Sequence, residues 1–427
     1  MAFPPNKTKI VCTIGPASDS QDILERLIRA GMNVARLNFS HGDFAEHQAV
    51  IRRIREASRT TGQRVAIMAD LPGPKIRLGQ FAEEPVKLRV GDTFTLTTEE
   101  IEGTVDRVSV TFAELPQAVR PGNRLFLNDG LIQLKVLESV GREVHCEVLI
   151  GGQLSSRKGL NLPGIDLGIS AFTDHDRHCL AFALENGVDA ISQSFVENAT
   201  DIAAVRKAAA DIGHDPFLIA KIERSGALDH IDDILQAADG IMVARGDLGV
   251  EIPIAQIAIV QKQLIWKANR LGKPVITATQ MLESMTTNRR PTRAEATDVA
   301  NAVLDGTDAV MLSGESAMGQ FPVDAADMLT TIAANIEPLR TVFPVREELS
   351  ASDRDKDVSL PDLIARSVVT TSQRITPAAV IVPTHSGATA RRITRFRLPV
   401  WITAVSYTHL TLPTSCVQCR CRGGAGD

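Results

Sequence analysis

Short apolar runs and amphipathic helical stretches alternate along most of this chain. KIVCT (9–13) leads into SDSQDILERLIRAG, where Ile23, Leu24, Leu27 and Ile28 share one helical face, Ser18, Asp19 or Ser20 can cap the start and Gly31 marks the stop. NVARLNF (33–39), a charged helix through IRRIREASR and the run VAIMAD (65–70) follow. After a long interruption the rhythm returns with AISQSF (190–195), FLIAKIE (217–223), GIMVARGD (240–247), PVITATQ (274–280) and AVMLSGE (309–315). Buried parallel strands read as short continuous apolar runs, and eight of them separated by helices predict an α/β fold, a (β/α)8 TIM barrel.

The interruption has another texture. PVKLRVGDTFTLTT, DRVSVTF and NRLFLNDGLIQLKVLESVGREVHCEVLIGG alternate strand and turn signals without helical periodicity, which predicts a small all-β insert, a β-barrel lid over residues 73–166. It leaves the barrel after the third strand, at the face where such barrels carry their active sites, and so is placed to cover a site. The barrel is then expected over residues 1–72 and 167–339. The polar stretch REELSASDRDKDVS reads as a linker into a C-terminal α/β domain over 340–427: helix PDLIARSVVTTSQRI, strand AAVIVPT, turn HSG, helix ATARRITRF and strand VWITAVS.

Composition narrows the partners. The net charge is -5 and the pI near 6.0, with no dense Lys/Arg tract, so nucleic acid is not an expected partner. MAFPPNKTKIVCTIG lacks an apolar signal core, and no apolar run approaches the roughly 20 residues that span a bilayer. No membrane association is expected, and the reading is cytoplasmic. Of six cysteines, Cys12, Cys146 and Cys179 are scattered as reduced thiols would be, and three crowd into the tail.

The strand ends carry the chemistry. Lys221 and Glu223 end the fifth run and Asp247 follows the sixth, which sets a fixed cation beside two hard oxygen ligands suited to Mg²⁺ or Mn²⁺. The second run ends in Arg36, Asn38 and Ser40 before His41-Gly42, the third in Asp70, the sixth in Gly246 and Asp247, the seventh in Thr279, and the eighth in Ser313 and Glu315. Each has an ordinary alternative: an ion pair for Arg36 or Lys221, a helix cap for Asn38 or Ser40, packing for Thr279. Together they gather on one face, the C-terminal face of the barrel.

NVARLNFSHG, GPKIR, NLPG, AKIE, MVARGDLGVEIP, ATQMLESM and RPTRAEATDVANAVLDGTDAVMLSGE, in this order to about residue 325, resemble pyruvate kinase. The resemblance implies a glycolytic phosphotransferase that passes a phosphoryl group between phosphoenolpyruvate and ADP, giving pyruvate and ATP by way of enolpyruvate. It implies that Glu223 and Asp247 hold the divalent metal, that Lys221 stabilises the charge in flight, and that Arg36 clamps the phosphoryl group. The amides of Gly246 and Asp247 with the Thr279 hydroxyl would hold the substrate carboxylate. Asn38, His41, Arg77 and Lys158 match nucleotide-facing positions, and Asp129 in LNDG is a lid carboxylate facing the nucleotide's metal. Thr279, or Ser313 and Glu315 behind it, would supply the proton to the enolate.

One departure concerns the monovalent cation. Where family members hold K⁺ through the positions of Asn38, Ser40, Asp70 and the next residue, this chain has Leu71, which lacks a side-chain oxygen, and Lys75 stands where those members have glutamate. The resemblance therefore points to the K⁺-independent branch, with the Lys75 ammonium supplying the positive charge and K⁺ not required.

In the C-terminal unit, Thr384, His385, Ser386, Gly387 and Thr389 resemble the loop that cradles the phosphate of a sugar-phosphate effector, although Ser and Thr before ATARR are also ordinary helix caps. Past Ser406 the sequence YTHLTLPTSCVQCRCRGGAGD departs from the family, so the domain reads as incomplete and its end as truncated or non-native. The family is homotetrameric. Two other readings stay open: an inactive or binding-only relative, and a metal-dependent lyase that forms or breaks a C–C bond through pyruvate enolate on the same barrel.

Overall fold

A computed structural model describes residues 4–165, 167–340, 360–375, 377–384, 387–405 and 414–415. The linker REELSASDRDKDVS, His385, Ser386 and the tail cysteines lie outside the described residues. Eight parallel strands close into a barrel: β1 (Lys9–Thr13), β2 (Met32–Asn38), β3 (Ala66–Leu71), β4 (Ala190–Gln193), β5 (Phe217–Ile222), β6 (Gly240–Ala244), β7 (Val275–Ala278) and β8 (Ala309–Leu312). The seam pairs β1 with β8 through Lys9 and Ala309. Glu337, past the last barrel helix, staples that seam by accepting from the amides of Lys7 at 2.8 Å and Thr8 at 2.6 Å.

Local signals set the helices. Ser20 is the cap of the first one, Gln21–Arg29, whose Leu24, Leu27 and Ile28 are buried. Asp43 and Glu46 form a reciprocal capping box at the start of Phe44–Thr61. Inside the bore, Val11, Met68, Ile219, Met242, Ile276 and Met311 make a second apolar layer.

Several strands stop short of the apolar-to-polar runs that announced them. AISQSF breaks at Phe195 (φ 57°) and PVITATQ at Thr279 and Gln280 (φ 67° and 52°), conformations incompatible with an extended chain. In GIMVARGD the last three residues already belong to the helix Arg245–Glu251. These breaks turn polar side chains across the mouth of the barrel.

The insert is a six-stranded sheet, ordered Leu160–Asn161, Arg124–Leu127, Ile132–Val140, Glu143–Ile150, Thr93–Thr97 and Arg107–Ser109, with a separate ribbon of Val86–Leu88 and Gly152–Leu154. The two edge strands, 2 and 3 residues long, do not pair with each other directly; residues 76–79 run between them, with Leu78 N–H donating to the Lys158 carbonyl at 2.9 Å on one side and Gly79 N–H to the Ser109 carbonyl at 2.8 Å on the other. The insert has its own core around Phe94, Leu125, Leu134 and Val148. It touches the rest of the chain where the Asn128-Asp129-Gly130 turn, left-handed at all three residues, reaches Val250 beyond β6. A Cβ on Gly130 would come within 3.2 Å of Val250 Cγ2.

The C-terminal unit has helix Leu360–Arg374, strand Ala379–Pro383, helix Ala388–Thr394, strand Trp401–Val405 parallel to the first strand, and the pair Thr414–Ser415 antiparallel to it. Arg395 donates to the Arg270 carbonyl at 3.0 Å and Arg397 to Asp308, which docks this unit on the N-terminal face of the barrel.

Candidate active site

Arg36, at the end of β2, is buried and donates through Nε to Asp70 Oδ2 at 2.9 Å, through Nη2 to the same oxygen, and through Nη1 to Thr13 Oγ1 at 3.0 Å. Lys221 Nζ lies 3.3 Å from the same Asp70 oxygen, 2.8 Å from Glu223 Oε1 and 2.6 Å from Ser194 Oγ. Two cations therefore meet across one carboxylate. Burial alone would raise the Asp70 pKa, yet Arg36, Lys221 and a hydrogen bond from Ser192 outweigh it and hold the carboxyl below its usual range. Burial pulls Lys221 the other way from its net shift: Asp70 and Glu223 prevail and hold the ammonium above its ordinary pKa.

Glu223 is 2% exposed, and its second oxygen accepts from the Phe195 amide at 2.7 Å, a contact that the left-handed backbone at Phe195 creates. Burial pushes its pKa up, and the nearby Asp247 carboxylate adds to this against Lys221. Two carboxylates converging in a desolvated corner are what a divalent cation would relieve, so the donor set fits Mg²⁺ or Mn²⁺. Two protein carboxylates would leave positions on such an ion for substrate oxygens.

Asp247 sits in the first turn of Arg245–Glu251. The preceding amide, Gly246 N–H, donates to Thr279 Oγ1 at 2.8 Å, and that hydroxyl in turn donates to the Ala278 carbonyl at 2.7 Å. Arg245 fixes the strained Thr279 segment by donating to the carbonyls of Ala278 and Thr279 at 3.2 and 2.7 Å and to Asp298 at 2.8 Å. Ser313 and Glu315 have a different setting. Glu315 is fully buried and accepts from the amides of Leu282 at 3.0 Å and Ser313 at 2.7 Å, which ties together the loops after β7 and β8.

Leu71 is fully buried in the core and offers no ligand. Asn38 Oδ1 accepts from the Ser40 amide at 3.2 Å. Lys75 is exposed and lies near His41, whose pKa is lowered by burial and then by Arg77, Lys75 and Arg36, a cationic rim suited to an anion. Arg77 donates to the Arg157 carbonyl at 3.1 Å across the lid base. Lys158 and Asn128 line an open lid cleft, and Asp129 is exposed at the turn that meets Val250. Far from these, Thr384 Oγ1 accepts from the Gly387 amide at 3.0 Å, and Thr389 lies in the helix that follows.

Sequence reasoning missed Ser192 and Ser194. Both lie in the run AISQSF, whose polar letters at alternate positions were the available signal.

The sequence matches the family model described as "Pyruvate kinase, barrel domain" over residues 5–326, and "Pyruvate kinase, alpha/beta domain" over residues 362–423. The second match runs beyond Ser406, where the resemblance was expected to end. The chain is 47% identical over 407 residues to a pyruvate kinase of Thermococcus litoralis, covering 95% of this chain and 86% of that one. It is 46% identical over 405 residues to a pyruvate kinase of Geobacillus stearothermophilus, covering 94% and 68%. The fold superposes on the crystal structure of a pyruvate kinase from Cryptosporidium parvum with a TM-score of 0.88 and 41% identity, covering 94% of this chain and 83% of the other. With sequence, barrel and C-terminal unit in agreement, the chain belongs to the pyruvate kinase family.

Proposed function

We propose that this enzyme transfers a phosphoryl group from phosphoenolpyruvate to ADP, with Mg²⁺ or Mn²⁺ held by Glu223 and Asp247 and without need of K⁺. The observation that carries the reading is the buried chain Arg36, Asp70, Lys221, Glu223, in which two fixed cations share one carboxylate at the barrel mouth. A loose phosphoryl transition state requires positioning and positive charge more than covalent help. Bound there, the divalent ion supplies charge neutralisation to the substrate's carboxylate and phosphate oxygens.

The protein's own groups do the rest. Arg36 and Lys221 grip the phosphoryl oxygens from two sides, and Asp70 keeps the two guanidinium and ammonium groups from repelling each other out of place. The Gly246 amide exchanges its Thr279 partner for the substrate carboxylate, and the Thr279 hydroxyl turns its proton from the Ala278 carbonyl toward the enolate carbon that must be protonated. Asn38, His41, Arg77 and Lys158 face the nucleotide, with Asp129 brought down from the lid and Lys75 supplying the monovalent charge. The barrel (1–72 and 167–339) carries the chemistry, the insert (73–166) covers it, and the C-terminal unit (340–427) offers the Thr384–Thr389 loop to a sugar phosphate. No helix among the described residues is long and apolar enough to cross a membrane.

The test is a coupled assay of pyruvate release from phosphoenolpyruvate, with ADP and Mg²⁺ omitted in turn. Release that depends on both is expected. Pyruvate formed without ADP would overturn the reading in favour of enolate chemistry of another kind.

A further inference from the structure

At the end of the barrel opposite Arg36 and Lys221, the strands begin around a cavity of about 140 Å³. Its walls are apolar: Val11, Val34, Met68, Ile219 and Ile276 from the bore, with Leu398, Val400 and Trp401 of the C-terminal unit across from them. The volume is comparable to the roughly 150 Å³ that accepts a benzene ring in an engineered apolar cavity.

Its polar lining is lopsided. Lys7, Lys9, Arg340 and Arg397 face a single carboxylate, Asp308. That carboxylate is committed: Oδ2 accepts from Arg397 Nη2 at 2.8 Å and from the Val275 amide at 2.9 Å, and Oδ1 accepts from Arg397 Nη1. Lys7 pairs with Glu337 at 3.3 Å. The Arg340 guanidinium has no hydrogen bond or ion pair among the described residues. Burial, then the like charge of Arg397, push its pKa down to about 10 against the opposing pull of Glu337 and Asp308. The two carboxylates whose charge reaches Arg340 are both engaged elsewhere, Glu337 by Lys7 and the amides of Lys7 and Thr8, Asp308 by Arg397 and the Val275 amide; an anion carrying an apolar body would give the guanidinium a direct partner and fill the chamber.

We propose that this chamber binds a small monocarboxylate whose apolar body, about the size of a benzene ring, fills the bore while its carboxylate pairs with Arg340. Amino acids are disfavoured, because an α-ammonium would lie among four cations with the only lining carboxylate already occupied. A neutral ring gains the burial but not the ion pair. Since the walls come from both the barrel and the C-terminal unit, the ligand ties the two together.

Trp401 lines the chamber, and the only other tryptophan, Trp266, lies on the helix Ile257–Leu271. In full-length protein carrying Trp266→Phe, 4-bromobenzoate should quench Trp401 fluorescence saturably. Benzoate and hexanoate should compete, whereas phenylalanine and toluene should compete at least about ten-fold more weakly, as expected for loss of a charge-assisted hydrogen bond. Arg340→Gln should weaken bromobenzoate binding by a similar factor, and Arg340→Lys should restore most of it. Ala190→Leu, which fills the bore, should abolish saturable quenching. Unsaturable quenching, equal competition by phenylalanine, unchanged affinity in Arg340→Gln, or saturable quenching that persists in folded Ala190→Leu would each overturn the proposal. Should Ala190→Leu fail to fold, the Arg340 pair still decides it.

Discussion

The Ser192 hydroxyl donates to Asp70 Oδ1 at 2.6 Å from a fully buried position, while the other Asp70 oxygen takes Arg36 and Lys221. Ser192 is the partner of the oxygen that faces away from the cations, so it fixes the carboxylate plane and, through it, the positions of Arg36 and Lys221. Ser192→Ala should lower kcat about ten-fold with a smaller change in KM for phosphoenolpyruvate, because it strands a buried acceptor worth about 1–3 kcal/mol. Ser192→Thr should recover most of the loss. Steady-state kinetics of the three proteins checks this, and wild-type kcat in Ser192→Ala would refute the positioning role.

A pH dependence follows from the same carboxylate. The Asp70 pKa is depressed in the folded state, so its contribution to stability is full above the unfolded value near 3.9 and is lost as pH falls through the folded value. Removing the Ser192 hydrogen bond raises the folded pKa. Acid unfolding of Ser192→Ala, followed by circular dichroism below about pH 5, should therefore begin at higher pH than that of the wild type.

Lys221→Met should lose on the order of 10²-fold or more in kcat, the usual cost of removing one charge aimed at a transition state. The substitution also leaves Glu223 and Asp70 without their shared ammonium. Thermal unfolding should be measured alongside turnover, and a folded variant with near-normal turnover would remove Lys221 from its assigned role.

Gly130→Val should hold the lid off the barrel. The position is left-handed (φ 88°) and a Cβ already approaches Val250, so a branched side chain meets both backbone strain and a clash. The expected result is a rise of roughly ten-fold in KM for ADP, while exchange of pyruvate methyl protons, which needs only the barrel residues, stays within about two-fold of wild type. Proton NMR of pyruvate in D₂O separates the two effects.

In K⁺-free tetramethylammonium buffer at matched ionic strength, adding K⁺ should change wild-type kcat by less than about two-fold, since Lys75 carries its own charge near His41 and Arg77. Lys75→Glu should be crippled there and recover in part with K⁺. Recovery stays partial because Leu71 is buried and has no oxygen to offer.

Much of this site was legible because barrel strands are apolar, so a charged letter at the end of a run such as FLIAKIE stands out against its background. Arg36, Lys221, Glu223 and Asp247 were found that way. What one-dimensional reading lacks is the partner: Asp70 reads as a polar terminus and, by resemblance, as a K⁺ position, whereas its bonds to Arg36 and Lys221 join three separate strands. Ser192 and Ser194 were absorbed into a strand, since serine is common in loops and edges and carries no charge to flag it. The pairing of Gly246 with Thr279 depends on a left-handed threonine, a conformation that propensity argues against and only the surrounding loops impose. How the insert's edges are joined was hidden for a related reason: alternation predicts strands, but the two edge strands are linked through residues 76–79, a stretch too short to carry an alternation of its own.

The Glu337 staple on Lys7 and Thr8 bears on the order in which a ribosome releases this chain. The barrel seam joins β1 to β8, the last barrel strand (Ala309–Leu312), so β1 must wait unpaired on one side until nearly the whole barrel has been synthesised. The insert needs no such wait, because its core is drawn from one continuous stretch. At about 5–20 residues per second, the interval between its completion and the arrival of Glu337 is roughly 10–35 s. Through that interval a nascent polypeptide would present a finished lid on an open-sided sheet, the stage at which its apolar strand edges are most exposed to chaperones and to neighbouring chains.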